Sequence, residues 1–204
     1  MRVETALPEN LTAMIDSPEF DDEAGIVIDT ISFTELNCLL EFSFRYWEDE
    51  MPPQRWQLTV SAYKEERIVR DWTQNIALYE EHPLLLKHTD TYNELYFKGT
   101  TIQAKELFID IYQSLLNLTE DIGDLAEYVL TPSRVMELGQ QGYGLFARGS
   151  KTILTLYQKC LTRYGIHAYF LVGREKSEED RRLKLFQLGS SYIIGKTFYF
   201  QQLK

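Results

Sequence analysis

Apolar and polar positions alternate along much of the first hundred residues. Cys38, Leu40, Phe42, Phe44 and Tyr46 fall on one side of an extended chain, with Glu41, Ser43 and Arg45 on the other. That period of two predicts a strand with one buried face and one wet face. Ile26 and Ile28 begin the pattern upstream. Trp56, Leu58, Val60 and Ala62 repeat it after a bend at Met51-Pro52-Pro53, where the prolines cannot donate ladder hydrogen bonds. The runs on either side of this bend read as antiparallel neighbours. Lys64-Glu65-Glu66 reads as a turn and residues 68–72 as a third strand. Residues 76–79 and 94–97 read as two more short strands.

The period turns helical after Gly99. Ala104, Leu107, Phe108, Ile111, Leu115 and Leu118 recur at steps of three and four, which predicts an amphipathic helix ending near Thr119. Thr100 and Gln103 have the spacing of a capping box. Thr131-Pro132 reads as a second helix start. Gly139, Gly142, Gly144 and Gly149 follow closely, and they read as a tight corner between two helices. Ser150 caps the next helix. Its inner stripe is Ile153, Leu154, Tyr157, Leu161 and Tyr164, and Gly165 stands where a left-handed residue closes a helix. Strands return at 168–172, 183–188 and 192–201, with Gly195 marking a bulge. The polar stretch 174–182 reads as a solvated connection.

Strands, then helices, then strands predict an α+β fold. The expectation is a largely antiparallel sheet built from N-terminal and C-terminal strands, packed on a central block of about three helices. A single domain over 1–204 is expected. It has a loosely structured 1–23, a strand-rich 24–98, a helical 100–165 and C-terminal strands over 166–202.

The 204 residues carry a formal charge of −10. Lysines and arginines are scattered beside acids, as in Lys64-Glu65-Glu66-Arg67, so no dense basic patch suggests nucleic acid. No run approaches a membrane span, and MRVETALPEN lacks the apolar centre of a signal peptide, so the expected location is the cytoplasm. Cys38 and Cys160 sit in apolar periodic segments and read as buried thiols.

Candidate chemistry is sparse. The segment from Gly144 to Thr152 superficially resembles a phosphate-binding loop, but Ser150 stands where that motif needs lysine. What survives is an anion site at the start of the helix that Ser150 caps, formed by Tyr143, Arg148, Ser150 and Lys151. His82 and His88 lack the spacing of a metal site, and no motif calls for a cofactor. Most of Tyr92, Tyr96, Phe97, Tyr143 and Phe146 read as core of the helical layer. Trp47 and Tyr63, beside Arg45, read as exposed aromatics on a sheet face, and such a pair suggests a partner surface. The first functional reading is therefore a non-enzymatic interaction or regulatory module, binding a protein partner or itself. The second is a small-molecule or anion binder, or an enzyme, with its pocket between sheet and helices.

Overall fold

A computed structural model describes residues 2–21, 24–46, 52–119 and 142–204. It is a mixture of helices and antiparallel sheets, in agreement with the α+β expectation. The contacts divide the chain into two compact units, Met1–His82 with Arg182–Lys204, and Pro83–Arg181.

The first unit is built on two sheets. One contains β2 (Ala24–Phe33), β3 (Asn37–Tyr46), β4 (Gln54–Ser61) and β12 (Thr197–Gln202), in the order β12-β4-β3-β2. The other contains β1 (Val3–Thr5), β5 (Glu65–Arg67), β6 (Ile76–Glu81), β10 (Lys184–Leu188) and β11 (Ser191–Gly195), in the order β1-β6-β10-β11-β5. The C-terminal strands do join the N-terminal ones, as the sequence suggested. They split between two sheets instead of completing one. The alternation of β3 and β4 holds: Cys38, Leu40, Phe42, Phe44, Trp56, Leu58 and Val60 are all buried. They meet Leu78, Phe186, Leu188 and Ile193 of the second sheet in one core. Phe186 packs on Phe42 at 6.3 Å and on Phe200 at 5.6 Å between ring centres.

Two strands turn the corner between these sheets. The backbone leaves β4 through Ala62, at φ 49°, and continues into β5. The return crossing runs from β11 into β12 at Gly195. A Cβ there would stand 2.3 Å from Val60 Cγ1, so only glycine fits. Gly195 therefore marks a sheet-to-sheet corner, where the sequence suggested a bulge. Residues 65–67 form the strand that was expected at 68–72, so the acidic stretch read as a turn belongs to the ladder. Near the N-terminus, Val3–Thr5 pair with β6, and α1 (Glu9–Ile15) buries Leu11 completely. A short helix, α2 (Pro18–Asp21), follows.

The second unit opens with a 3-10 turn at Pro83–Leu85 and a short helix α3 (Leu86–Thr89). It then sets β7 (Tyr92–Lys98), β8 (Tyr143–Ser150) and β9 (His167–Arg174) in an antiparallel sheet ordered β8-β7-β9. Helix α4 (Ala104–Thr119) follows β7, and α5 (Lys151–Arg163) joins β8 to β9. A last short helix, α6 (Glu178–Arg181), closes the unit. Leu107, Ile111 and Leu115 of α4 and Ile153, Leu154, Tyr157 and Leu161 of α5 share a core with Leu95, Phe97 and Phe146 of the sheet. Ser150 caps α5 and Gly165, at φ 74°, ends it, both as expected. At the start of α4 the Gln103 amide meets Thr101 Oγ1, not Thr100.

One expectation fails here. The stretch from Tyr143 to Ser150 lies inside the predicted helical block, yet it is a strand hydrogen-bonded to β7. Its glycines do adopt conformations that other residues avoid, with φ 152° at Gly144 and 148° at Gly149, but they serve an irregular edge strand. The predicted helix start at Thr131-Pro132, and Gly139, lie outside the described residues.

Candidate functional site

The strand β7 reads Tyr-Asn-Glu-Leu-Tyr-Phe-Lys, and its alternation assigns two faces. Asn93, Leu95 and Phe97 are buried on the helix side. Tyr92, Glu94, Tyr96 and Lys98 turn to the other side. Strand pairing extends this second face in rows. Lys98 lies between Tyr143 and His167; Tyr96 lies between Leu145 and Tyr169. Glu94 lies between Arg148 and Leu171, and Tyr92 is paired with Arg174. A bulge between Leu95 and Tyr96 keeps both Phe146 and Ala147 of β8 on the buried side.

This second face is open. Tyr143 is 76% exposed, Leu171 44%, Tyr92 40% and Tyr169 39%. The side chains are nonetheless ordered against one another. Tyr96 and Tyr169 stack with ring centres 6.2 Å apart, and His167 packs on Tyr169 at 5.6 Å. Aromatic pairs of this kind contribute roughly 0.5–1.5 kcal/mol each. Glu94 ties the rows together, accepting from Tyr96 Oη at 3.1 Å and from Arg148 Nε at 2.8 Å. The hydrogen bond to Glu94 also raises the Tyr96 pKa above its ordinary value. An exposed ion pair adds little stability by itself, so the network positions the face more than it holds the fold.

Of the residues singled out from the sequence, Tyr143 and Arg148 belong to this face. Ser150 and Lys151 do not share it with them, because the chain passes from β8 into α5 at that point. Ser150 Oγ donates to Asp90 Oδ2 at 2.5 Å, and the same oxygen accepts the Thr152 amide at 2.7 Å. The Lys151 amide donates to Thr91 O at 2.9 Å and the Ile153 amide to Ser150 Oγ at 3.4 Å. The amides that an added anion would use are therefore engaged by the chain itself. Asp90 already supplies the negative charge that a helix N-terminus favours. Partial burial works to raise the Asp90 pKa. The hydrogen bonds from Ser150, Thr152 and Thr91 outweigh it and hold the carboxyl below its usual range.

The other expected surface is dispersed. Trp47 lies outside the described residues. Tyr63 is half-buried beside Phe33, with ring centres 5.4 Å apart, at the β2–β3 hairpin end. Arg45 stands near the opposite end of β3, paired with Asp29 at 2.7 Å. Tyr63 and Arg45 are thus separated by most of a strand's length. Neither cysteine is poised for chemistry: both are buried, and burial, with Glu66 adding to it, pushes the Cys38 thiol up to about 11. Among the described residues no cluster of His, Cys, Asp and Glu is arranged to hold a metal ion, and no helix is long and apolar enough to cross a membrane.

Sequence reasoning missed Tyr96, Tyr169, Leu171 and the outward role of Tyr92. The alternation in 92–98 carried the signal for β7. It was ambiguous because both faces carry aromatic residues. In His-Ala-Tyr-Phe-Leu-Val, nearly every position is apolar, so periodicity alone cannot say which side is open. No protein-family model matches the chain, and neither the curated proteins nor the solved structures contain a match.

Proposed function

We propose that the protein is a non-enzymatic binding module that engages a protein partner through the open face of the β8-β7-β9 sheet. The observation that carries this reading is the row Leu145–Tyr96–Tyr169, continued by Leu171 and Tyr143, on the face opposite the helices. A sheet face of three strands normally buries its large apolar side chains, and a contiguous exposed group marks a contact surface. Tyrosine suits such a surface, because it brings large rigid area and a polar tip at low entropic cost. The alternative of an anion held at the start of α5 draws less support, since Asp90 occupies that position.

The test is site-specific photo-crosslinking in cells. A crosslinker replacing Tyr143 reports on the open face, and one replacing the exposed Lys159 reports on the helical side. Partner adducts are expected from position 143 and not from 159, and Tyr169→Ser should suppress them. Equal adducts at both positions, or adducts indifferent to Tyr169→Ser, would remove the basis for this function.

A further inference from the structure

Charge on the open face is distributed unevenly. Its carboxylate, Glu94, is already held by Arg148 and by the Tyr96 hydroxyl. Beyond the Tyr92–Arg174 row the surface drops into a cleft of about 690 Å³ lined by Tyr92, Arg174, Glu175, Lys176, Ser177 and Asp180. The two acids there are also engaged. Glu175 faces Arg181 at 3.6 Å; Asp180 accepts the Ser177 hydroxyl at 2.7 Å, a neutral donor that leaves one negative charge in the cleft against its two remaining cations. Glu178 and Glu179 belong to α6 but do not line the cleft. Three cations are left over. Lys98 at one end, and Arg174 and Lys176 at the other, have no side-chain ion pair or hydrogen bond among the described residues. The Lys98 and Tyr92 rows stand at the two ends of β7, about 20 Å apart at strand spacing.

We infer that the face receives a segment of a different, acidic protein, with carboxylates at both ends of an apolar stretch about 20 Å long. The apolar stretch lies over Tyr96, Tyr169 and Leu171. One carboxylate end meets Lys98, and the other enters the cleft between Arg174 and Lys176. This rests on the sheet face being the binding surface.

A second copy of the chain is a poor occupant. Two such faces stacked about a two-fold axis in their plane bring the Lys98 row against itself or against the Arg174 row. Either arrangement sets cation on cation. A nucleic-acid strand fits less well than an acidic peptide. Three cations are few for a ligand whose affinity comes from many phosphate contacts. The chain's charge of −10 opposes an acidic partner at long range. At physiological salt that repulsion is screened beyond about 8 Å, so the nearby cations decide docking.

Fluorescence anisotropy with the full chain tests this. The probes are a labelled peptide with a leucine–phenylalanine centre and glutamates at both ends, the same centre with lysine ends, and oligothymidylate. The glutamate-ended peptide should bind at least about tenfold tighter than the lysine-ended one. Arg174→Glu combined with Lys176→Glu should erase that preference. Tyr169→Ser combined with Leu171→Ser should weaken both peptides. Unchanged circular dichroism is required of each variant. The acidic-partner inference falls if the peptides bind equally, if neither binds, if the preference survives the charge reversal, or if oligothymidylate binds tightest. In those cases the sheet-face reading still stands on its crosslinking result. If charge reversal matters but the Tyr169 and Leu171 changes do not, the sheet-face reading fails with it.

Discussion

Replacing Asp90 with alanine removes one carboxylate from three donors at once. Its Oδ2 accepts the Ser150 hydroxyl at 2.5 Å and the Thr152 amide at 2.7 Å, and its Oδ1 accepts the Thr91 amide at 2.7 Å. Three losses follow. The hydrogen bond that Asp90 accepts from the Thr152 amide, one of the first-turn donors of α5 that lack a partner within the helix, contributes about 1 kcal/mol. A carboxylate at the positive end of the helix dipole adds roughly 0.3–1 kcal/mol. Ser150 is buried, and stripping its hydroxyl of a partner costs about 1–3 kcal/mol. These effects share atoms and do not add fully, so Asp90→Ala should lower stability by about 2–3 kcal/mol. Asp90→Asn keeps an acceptor oxygen but no charge, and should lose about 1 kcal/mol.

The assay is urea unfolding followed by far-ultraviolet circular dichroism, which reads α4 and α5. Trp47, Trp56 and Trp72 all precede Pro83, so tryptophan emission reports the other unit and serves as a second probe. The pH dependence checks the charge. Because the folded carboxyl is held below its ordinary pKa, its contribution is present above about pH 4 and fades as acid protonates the native state. Wild type should lose this increment in strong acid, and Asp90→Asn should have none to lose. A loss below about 0.5 kcal/mol for Asp90→Ala, no larger than an ordinary surface change, would refute the account.

Further outcomes are expected elsewhere. Gly195→Ala places a Cβ 2.3 Å from Val60 Cγ1 and 3.2 Å from Ser61 O, so it should cost about 1–3 kcal/mol by overpacking; an unchanged urea midpoint would contradict the corner. Burial, together with the Arg2 charge, lowers the His82 pKa from 6.5 to about 4. The unfolded chain then binds the extra proton first, so stability should fall as pH drops from about 6.5 to about 4, by on the order of 2–3 kcal/mol. His82→Phe should flatten that stretch of the stability profile, and an identical slope in the variant would assign the effect to other groups. Leu171→Ser sits on the open face and should change stability by less than about 0.5 kcal/mol, while a loss of several kcal/mol would mean the side chain is buried.

The sequence by itself determined the inner faces of β3 and β4 and of helices α4 and α5. Cys38, Leu40, Phe42 and Phe44 had to share a side, and so did Leu107, Ile111 and Leu115. A strand repeats every two residues and a helix every three or four, so a local pattern suffices to assign the buried side. The caps at Ser150 and Gly165 were legible for the same reason, since both satisfy backbone groups only a few residues away. The tertiary structure alone decided the rest. Tyr143 to Ser150 has no clear period, and it is a strand because β7 supplies its hydrogen-bond partners from some fifty residues away. Backbone pairing leaves no imprint on side-chain order, so neither β8 nor the division of strands between two sheets could be read in advance. Asp90 and Ser150 look unrelated along the chain until the fold sets them in contact. The open face depends on the same long-range choice. Tyr96 and Tyr169 are as apolar as core residues, and only the placement of α4 and α5 on the opposite side of the sheet leaves them outward.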